Sequence, residues 1–269
     1  MLNKLLKYEG KATAKILLPA GAGVLGMSVL SALMRVITEH TLQNDAANFL
    51  YVLVTAAAGL CVAAVLLGCV FVNTKRFYDL FGDAGYTMLA LPVPTWQHMA
   101  AKLISAVGWT VVGLLWAGAC FVLMTGAPIG EAVNVWLISG SQRIPVTNVG
   151  CLLLGLLFVL VCMVLMYLML YLSCAIGGQF NQNRMVASIA AYFVTGFILQ
   201  FLTIAAMIFA AISISKVPGV AGELSALQQN VDYTLINKVL AGLTAGAAAL
   251  CAAAWALTWR LMSKKLNLA

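Results

Sequence analysis

Six stretches of this chain run apolar for 22 residues or more and carry almost no charge. They fall at Ile16–Ile37, Ala47–Val72, Ala101–Gly126, Asn148–Ile176, Met185–Ile214 and Asn237–Trp259. A bilayer core of about 30 Å needs about 20 apolar residues of helix at 1.5 Å per residue. Each stretch is long enough. Pro19 is the one proline inside them, near the start of the first, where a helix tolerates it. An outer-membrane barrel would instead show segments of about 10 residues with strict alternation, and that pattern is absent. The run Ile16–Met34 holds no charge and exceeds the roughly 7–15 residues of a signal-peptide core. It therefore reads as a retained span. The expected fold is an all-α integral membrane protein, one transmembrane domain over residues 1–269 with six transmembrane helices.

Charge supports this and adds a direction. Hydrophobic residues make up 63% of the chain and charged residues 9%, against about 25% charged in a soluble domain. So few charges cannot coat a water-facing surface. Eleven of the fifteen Lys and Arg fall on one side of the six spans: Lys4, Lys7, Lys11, Lys15, Lys75, Arg76, Lys102, Arg184, Arg260, Lys264 and Lys265. Basic residues collect on the cytoplasmic side, so both termini are expected there. The net charge of +7 is then a topology signal. It does not indicate nucleic-acid binding, which would need a soluble basic face.

Several function classes are disfavoured. The seven cysteines all lie within the spans and form no CxxC pair, so they read as packing residues without a metal or disulfide role. No acidic residue sits deep in a span, where an ion-driven carrier would need one. His40 and His98 fall on opposite faces, and no H-E-x-x-H is present, so intramembrane catalysis is disfavoured. Among polar residues of the spans, Gln200, Tyr167 and Tyr171 are the candidates for a translocation path. Arg35 lies near the outer end of the first span, where a long side chain can snorkel. Gly242 and Gly246 give the last span a small-xxx-small pair, suited to close packing within the chain or to a dimer seam.

Two segments are not simple spans. In residues 1–15, Leu2, Leu5 and Leu6 alternate with Lys4, Lys7, Lys11 and Lys15. This predicts an amphipathic elbow helix lying at the inner interface, lysines toward anionic headgroups. The second is the cytoplasmic segment 73–92. About 28 residues separate the second and third spans here, where a few would suffice. Phe77, Leu80, Phe81, Ala84 and Met88 form an apolar helical stripe, interrupted by Gly82 and Gly85. Two short helices with a bend are expected, ending at Pro92 and Pro94, with Thr95 capping the third span. Such a stripe on a cytoplasmic loop suits docking. The outer loops Ala127–Thr147 and Ser215–Ile236 are read as exposed, with a short re-entrant helix at Ala221–Asn230 as the alternative.

The stretch Arg76–Pro92, RFYDLFGDAGYTMLALP, and the opening MLNKLLKYEGKATAKILLP resemble the permease subunits of bacterial type-2 ABC exporters. That family usually carries an acid where this chain has Ala84. The resemblance implies a coupling helix that docks on a separate ABC ATPase, with Arg76, Phe77, Tyr78, Asp79, Leu80, Phe81, Asp83 and Tyr86 as the docking residues. It also implies a homodimer or a heterodimer with a related permease, in the bacterial plasma membrane. The chain has no G-x-x-x-x-G-K-[ST]. ATP and Mg would thus be used by the partner, and this chain would bind no cofactor and catalyse nothing itself. The expected function is ATP-driven efflux of an apolar or amphiphilic substrate, such as a peptide, antibiotic or lipid-like molecule. A membrane assembly or sensor subunit without transport is the alternative.

Overall fold

A computed structural model of the chain describes residues 2–40, 45–82, 94–126, 149–180, 183–215 and 233–264. Those residues are helical almost throughout, with no strand among them. Helix α1 is Leu2–His40, α2 is Asp45–Tyr78, α3 is Thr95–Thr125, α4 is Val149–Gly177, α5 is Arg184–Ser215 and α6 is Tyr233–Lys264. Six helices are long and apolar enough to cross a membrane. Large apolar side chains cover their outer faces: Leu60, Leu67, Leu115, Phe193 and Phe197 are all more than 60% exposed. Water would not tolerate that much exposed apolar surface, whereas acyl chains favour it. The chain is a multi-pass membrane protein.

The boundaries differ from the sequence expectation in four places. First, no separate elbow exists. Residues 2–15 and the first span form one helix of 39 residues that passes through Pro19 without ending. Proline lacks an N–H and clashes with the preceding turn, but helices in lipid absorb this when neighbours re-satisfy the freed carbonyl. Second, α2 continues past its apolar run to Tyr78 and tightens into a 3₁₀ turn at Asp79–Phe81. The start of the expected coupling segment is therefore the end of α2. Third, Pro94, extended at ψ 141°, precedes α3, and Thr95 is the first helical residue. Proline supplies the non-helical residue itself, so no side chain caps this end. Fourth, Gly242 and Gly246 have no heavy atom within 4 Å of where a Cβ would sit. The small pair is not used for packing among the described residues. The expected features at 83–92, in both outer loops and at Lys265 lie outside the described residues.

The chain divides into two compact units, Met1–Phe77 with Pro92–Ile144, and Tyr78–Leu91 with Pro145–Ala269. In the first unit α1 and α3 pack closely along their length, while α2 approaches neither as closely. Local bonds hold α2 instead. The Ser31 and Thr55 hydroxyls share a hydrogen bond of 2.8 Å, and Arg76 reaches α1 at the other level. Trp116 on α3 donates its indole N–H to the Gly21 carbonyl at 3.1 Å. Its ring lies 3.1 Å from where a Cβ on Gly21 would be, so glycine is what lets α1 and α3 meet there. Arg35 donates to the Thr125 carbonyl at 2.7 Å. That is the last residue of α3, where unpaired carbonyls and the helix dipole favour a cation. The snorkelling arginine thus caps a neighbouring helix. Beyond it the chain turns at Gly126, φ 63°, whose N–H bonds the Val122 carbonyl. In the second unit α4 packs closely on both α5 and α6.

Candidate functional site

The first unit holds a three-helix ion cluster. Glu9 of α1 accepts from Arg76 Nη2 of α2 at 2.9 Å and from Lys102 Nζ of α3 at 2.9 Å. Lys102 also donates to the Arg76 backbone carbonyl at 3.0 Å. Arg76 Nη1 donates to the Glu9 carbonyl and, at 2.7 Å, to the Thr13 hydroxyl. The side chains are 11% exposed for Glu9, 22% for Arg76 and 5% for Lys102. Removing one partner of such a cluster leaves an uncompensated, poorly solvated charge, at a cost of about 3–5 kcal/mol. The cluster carries two cations and one anion, so a positive charge is left over. One turn before Lys102, His98 is 3% exposed and its Nε2 has no hydrogen-bond partner among the described residues.

The heights of the three groups agree with membrane embedding. Glu9 precedes the first apolar run, Arg76 follows the second, and Lys102 opens the third. Folding brings all three to one level, at the ends of the apolar spans, where ions can keep partial hydration.

The second unit seats the 3₁₀ turn that follows α2. Arg184, first residue of α5, donates to the Phe81 carbonyl at 2.9 Å. The Phe81 ring lies against Gly178; a Cβ there would come within 2.5 Å of Phe81 Cδ1. Gly177 lies equally tight against Ser188 of α5. Gly82 N–H closes the turn onto the Asp79 carbonyl at 3.2 Å. Asp79–Phe81 is therefore bolted to the junction of α4 and α5, and two adjacent glycines make that junction close enough.

The expected docking residues divide accordingly. Phe77, Leu80 and Phe81 are 0%, 1% and 5% exposed. Their apolar stripe is turned into the protein. Arg76 points into the ion cluster. Tyr78 is half-buried and Asp79 is exposed, so these two keep an outward face. Asp83 and Tyr86 lie outside the described residues. The candidate path residues are also not gathered together. Tyr167 and Tyr171 are fully buried, ring centroids 6.2 Å apart, whereas the Gln200 side chain is exposed on α5.

Glu9, Gly178 and the bonding roles of Lys102 and Arg184 were not singled out from the sequence. Arg76 lies 67 residues from Glu9, and Lys102 lies 93. No spacing rule links positions so far apart. The available signal was that Glu9 is the one acid among Lys4, Lys7, Lys11 and Lys15. Among the described residues, no three of His, Cys, Asp and Glu come together as a metal site would require. No protein-family model, curated protein or solved structure matches the chain.

Proposed function

We propose that the chain is the permease subunit of an ATP-driven exporter of the type-2 ABC class. In this reading two copies, or this chain and a related permease, form a twelve-helix pore on two separate ATPase subunits. The observation that carries it is the stretch Arg76–Pro92, whose sequence resembles the ATPase-docking signature of that class. Six helices able to span a membrane, the scarcity of acid in them and the basic residues sorted to one side are consistent with it. ATP-driven closure of the ATPase dimer would push on the segment that begins at Asp79 and switch access across the membrane. The cargo would be apolar or amphiphilic, since the spans offer little charge to a polar one.

Co-purification with the ABC ATPase tests this. Phe77→Asp and Phe81→Asp are poor probes, because both side chains are buried and a charge there unfolds the turn. Tyr78→Ala combined with Asp79→Lys changes the outward positions instead. The expected result is at least a tenfold loss of recovered ATPase, with yield and monodispersity of the permease unchanged. Full recovery of an ATPase with unaltered turnover would overturn the reading.

A further inference from the structure

An apolar cleft of about 470 Å³, counting its open side, lies between α1, α2 and α3. It exists because α2 stands off the closely packed α1–α3 pair. The Ser31–Thr55 bond spans α1 and α2 beyond one end of the cleft, and the Glu9–Arg76–Lys102 cluster holds all three helices beyond the other. Leu18, Gly21, Val62, Leu66, Trp109 and Trp116 are among its walls. The indole N–H of Trp116 is already bonded to Gly21, so that polar group in the wall asks nothing of an occupant.

Helical spacing connects the cleft to charge. On α1 the stripe through Leu17 runs back to Thr13 and Glu9 at intervals of four. On α2 the stripe through Cys69 runs on to Asn73 and Arg76, and on α3 the one through Trp109 runs back to Ser105 and Lys102. The cleft thus runs toward the cluster with one positive charge in excess, about 12 Å along α1 from Leu17 to Glu9. A second α1 stripe, Lys11, Lys15 and Leu18 at i, i+4 and i+7, leads from two exposed ammoniums to a cleft wall that is itself 48% exposed. Both lysines come just before the apolar run that opens at Ile16. That is the level at which headgroups meet a spanning helix.

We infer that the cleft between α1, α2 and α3 is a binding site for an anionic phospholipid of the surrounding bilayer. One acyl chain occupies the cleft and the headgroup phosphate is held by Lys11 and Lys15. Charge complementarity selects this occupant: the walls are apolar, the spans lie in lipid, and the one charged rim is cationic. Basic side chains near an anionic leaflet each contribute about 1 kcal/mol of attraction, so two of them give roughly a thirtyfold preference over a zwitterionic lipid. The inference rests on membrane embedding and on this geometry, and does not require the exporter reading.

Trp109 and Trp116 make the site self-reporting. Full-length protein is placed in nanodiscs of phosphatidylcholine, doped with acyl-brominated phosphatidylglycerol or, separately, with acyl-brominated phosphatidylcholine at equal mole fraction. Bromine quenches indole fluorescence on contact. Subtracting the signal of Trp109→Phe/Trp116→Phe isolates the cleft. The expected result is quenching by the glycerol lipid at several-fold lower mole fraction than by the choline lipid. Lys11→Gln/Lys15→Gln, on an exposed face and neutral for folding, should bring the two curves together even when total fluorescence is read. Equal quenching in the unaltered protein would mean ordinary annular contact and would overturn the site. Quenching by neither lipid would mean a cleft closed to chains and would do the same. A preference that survives loss of both lysines would overturn the headgroup assignment.

Discussion

Gly178 and Phe81 show how much of this molecule depends on single contacts. The aromatic ring of Phe81 takes the volume that a β-carbon at position 178 would fill, and Arg184 fixes the backbone behind the ring. Gly178→Ala should therefore cost about 1–3 kcal/mol by overpacking. Phe81→Leu in the same chain should return part of that loss, because the shorter side chain can move away. Thermal unfolding of the two single variants and the double variant in detergent checks this as a cycle. Contacting residues should show a coupling of about 0.5 kcal/mol or more, whereas strict additivity would mean the ring does not rest on the glycine. The apolar stripe of Phe77, Leu80 and Phe81 was legible as a stripe. Its direction was not, because helical spacing groups side chains on one face without saying what that face meets. Arg76 illustrates the same gap: its charge suggested a surface role, and its partner is an acid 67 residues away in sequence.

At the scale of the element, α1 is the main departure from expectation. Its first 15 residues carry a basic amphipathic pattern, which in isolation favours lying in the interface. In the folded chain Glu9 is tied to α2 and α3, and that bond holds the amphipathic part in line with the span. A continuous helix places spin labels at Lys4 and Leu30 about 39 Å apart, at 1.5 Å per residue over 26 residues. A right-angled elbow at residue 15 would place them about 28 Å apart. Distance measurement between the two labels in a cysteine-less background separates these, and a value near the shorter one would contradict the unbroken helix. The remaining spans were read from sequence to within a few residues, since a long apolar run has a single way to satisfy its backbone in lipid. Helix ends were less legible: α2 runs six residues beyond its apolar segment, because nothing polar in Asn73–Tyr78 breaks a helix.

At the scale of the whole molecule, the sorting of basic residues predicts that both ends of the chain lie in the cytoplasm. A green fluorescent protein joined after Ala269 should fluoresce, and alkaline phosphatase joined at the same point should be inactive, in line with the positive-inside rule. Active phosphatase would reverse the orientation and place the Glu9 cluster on the outer face. Six spans, their helical nature and the charge asymmetry were determined by sequence alone, because each follows from local composition and length against the thickness of a bilayer. The tertiary structure decided which charges meet and which apolar stripes turn inward. It also decided where a cleft opens between helices and which glycine a ring rests on. Those depend on residues tens of positions apart reaching the same place, which no local pattern encodes. The Glu9–Arg76–Lys102 cluster and the cleft leading to it belong wholly to that second kind.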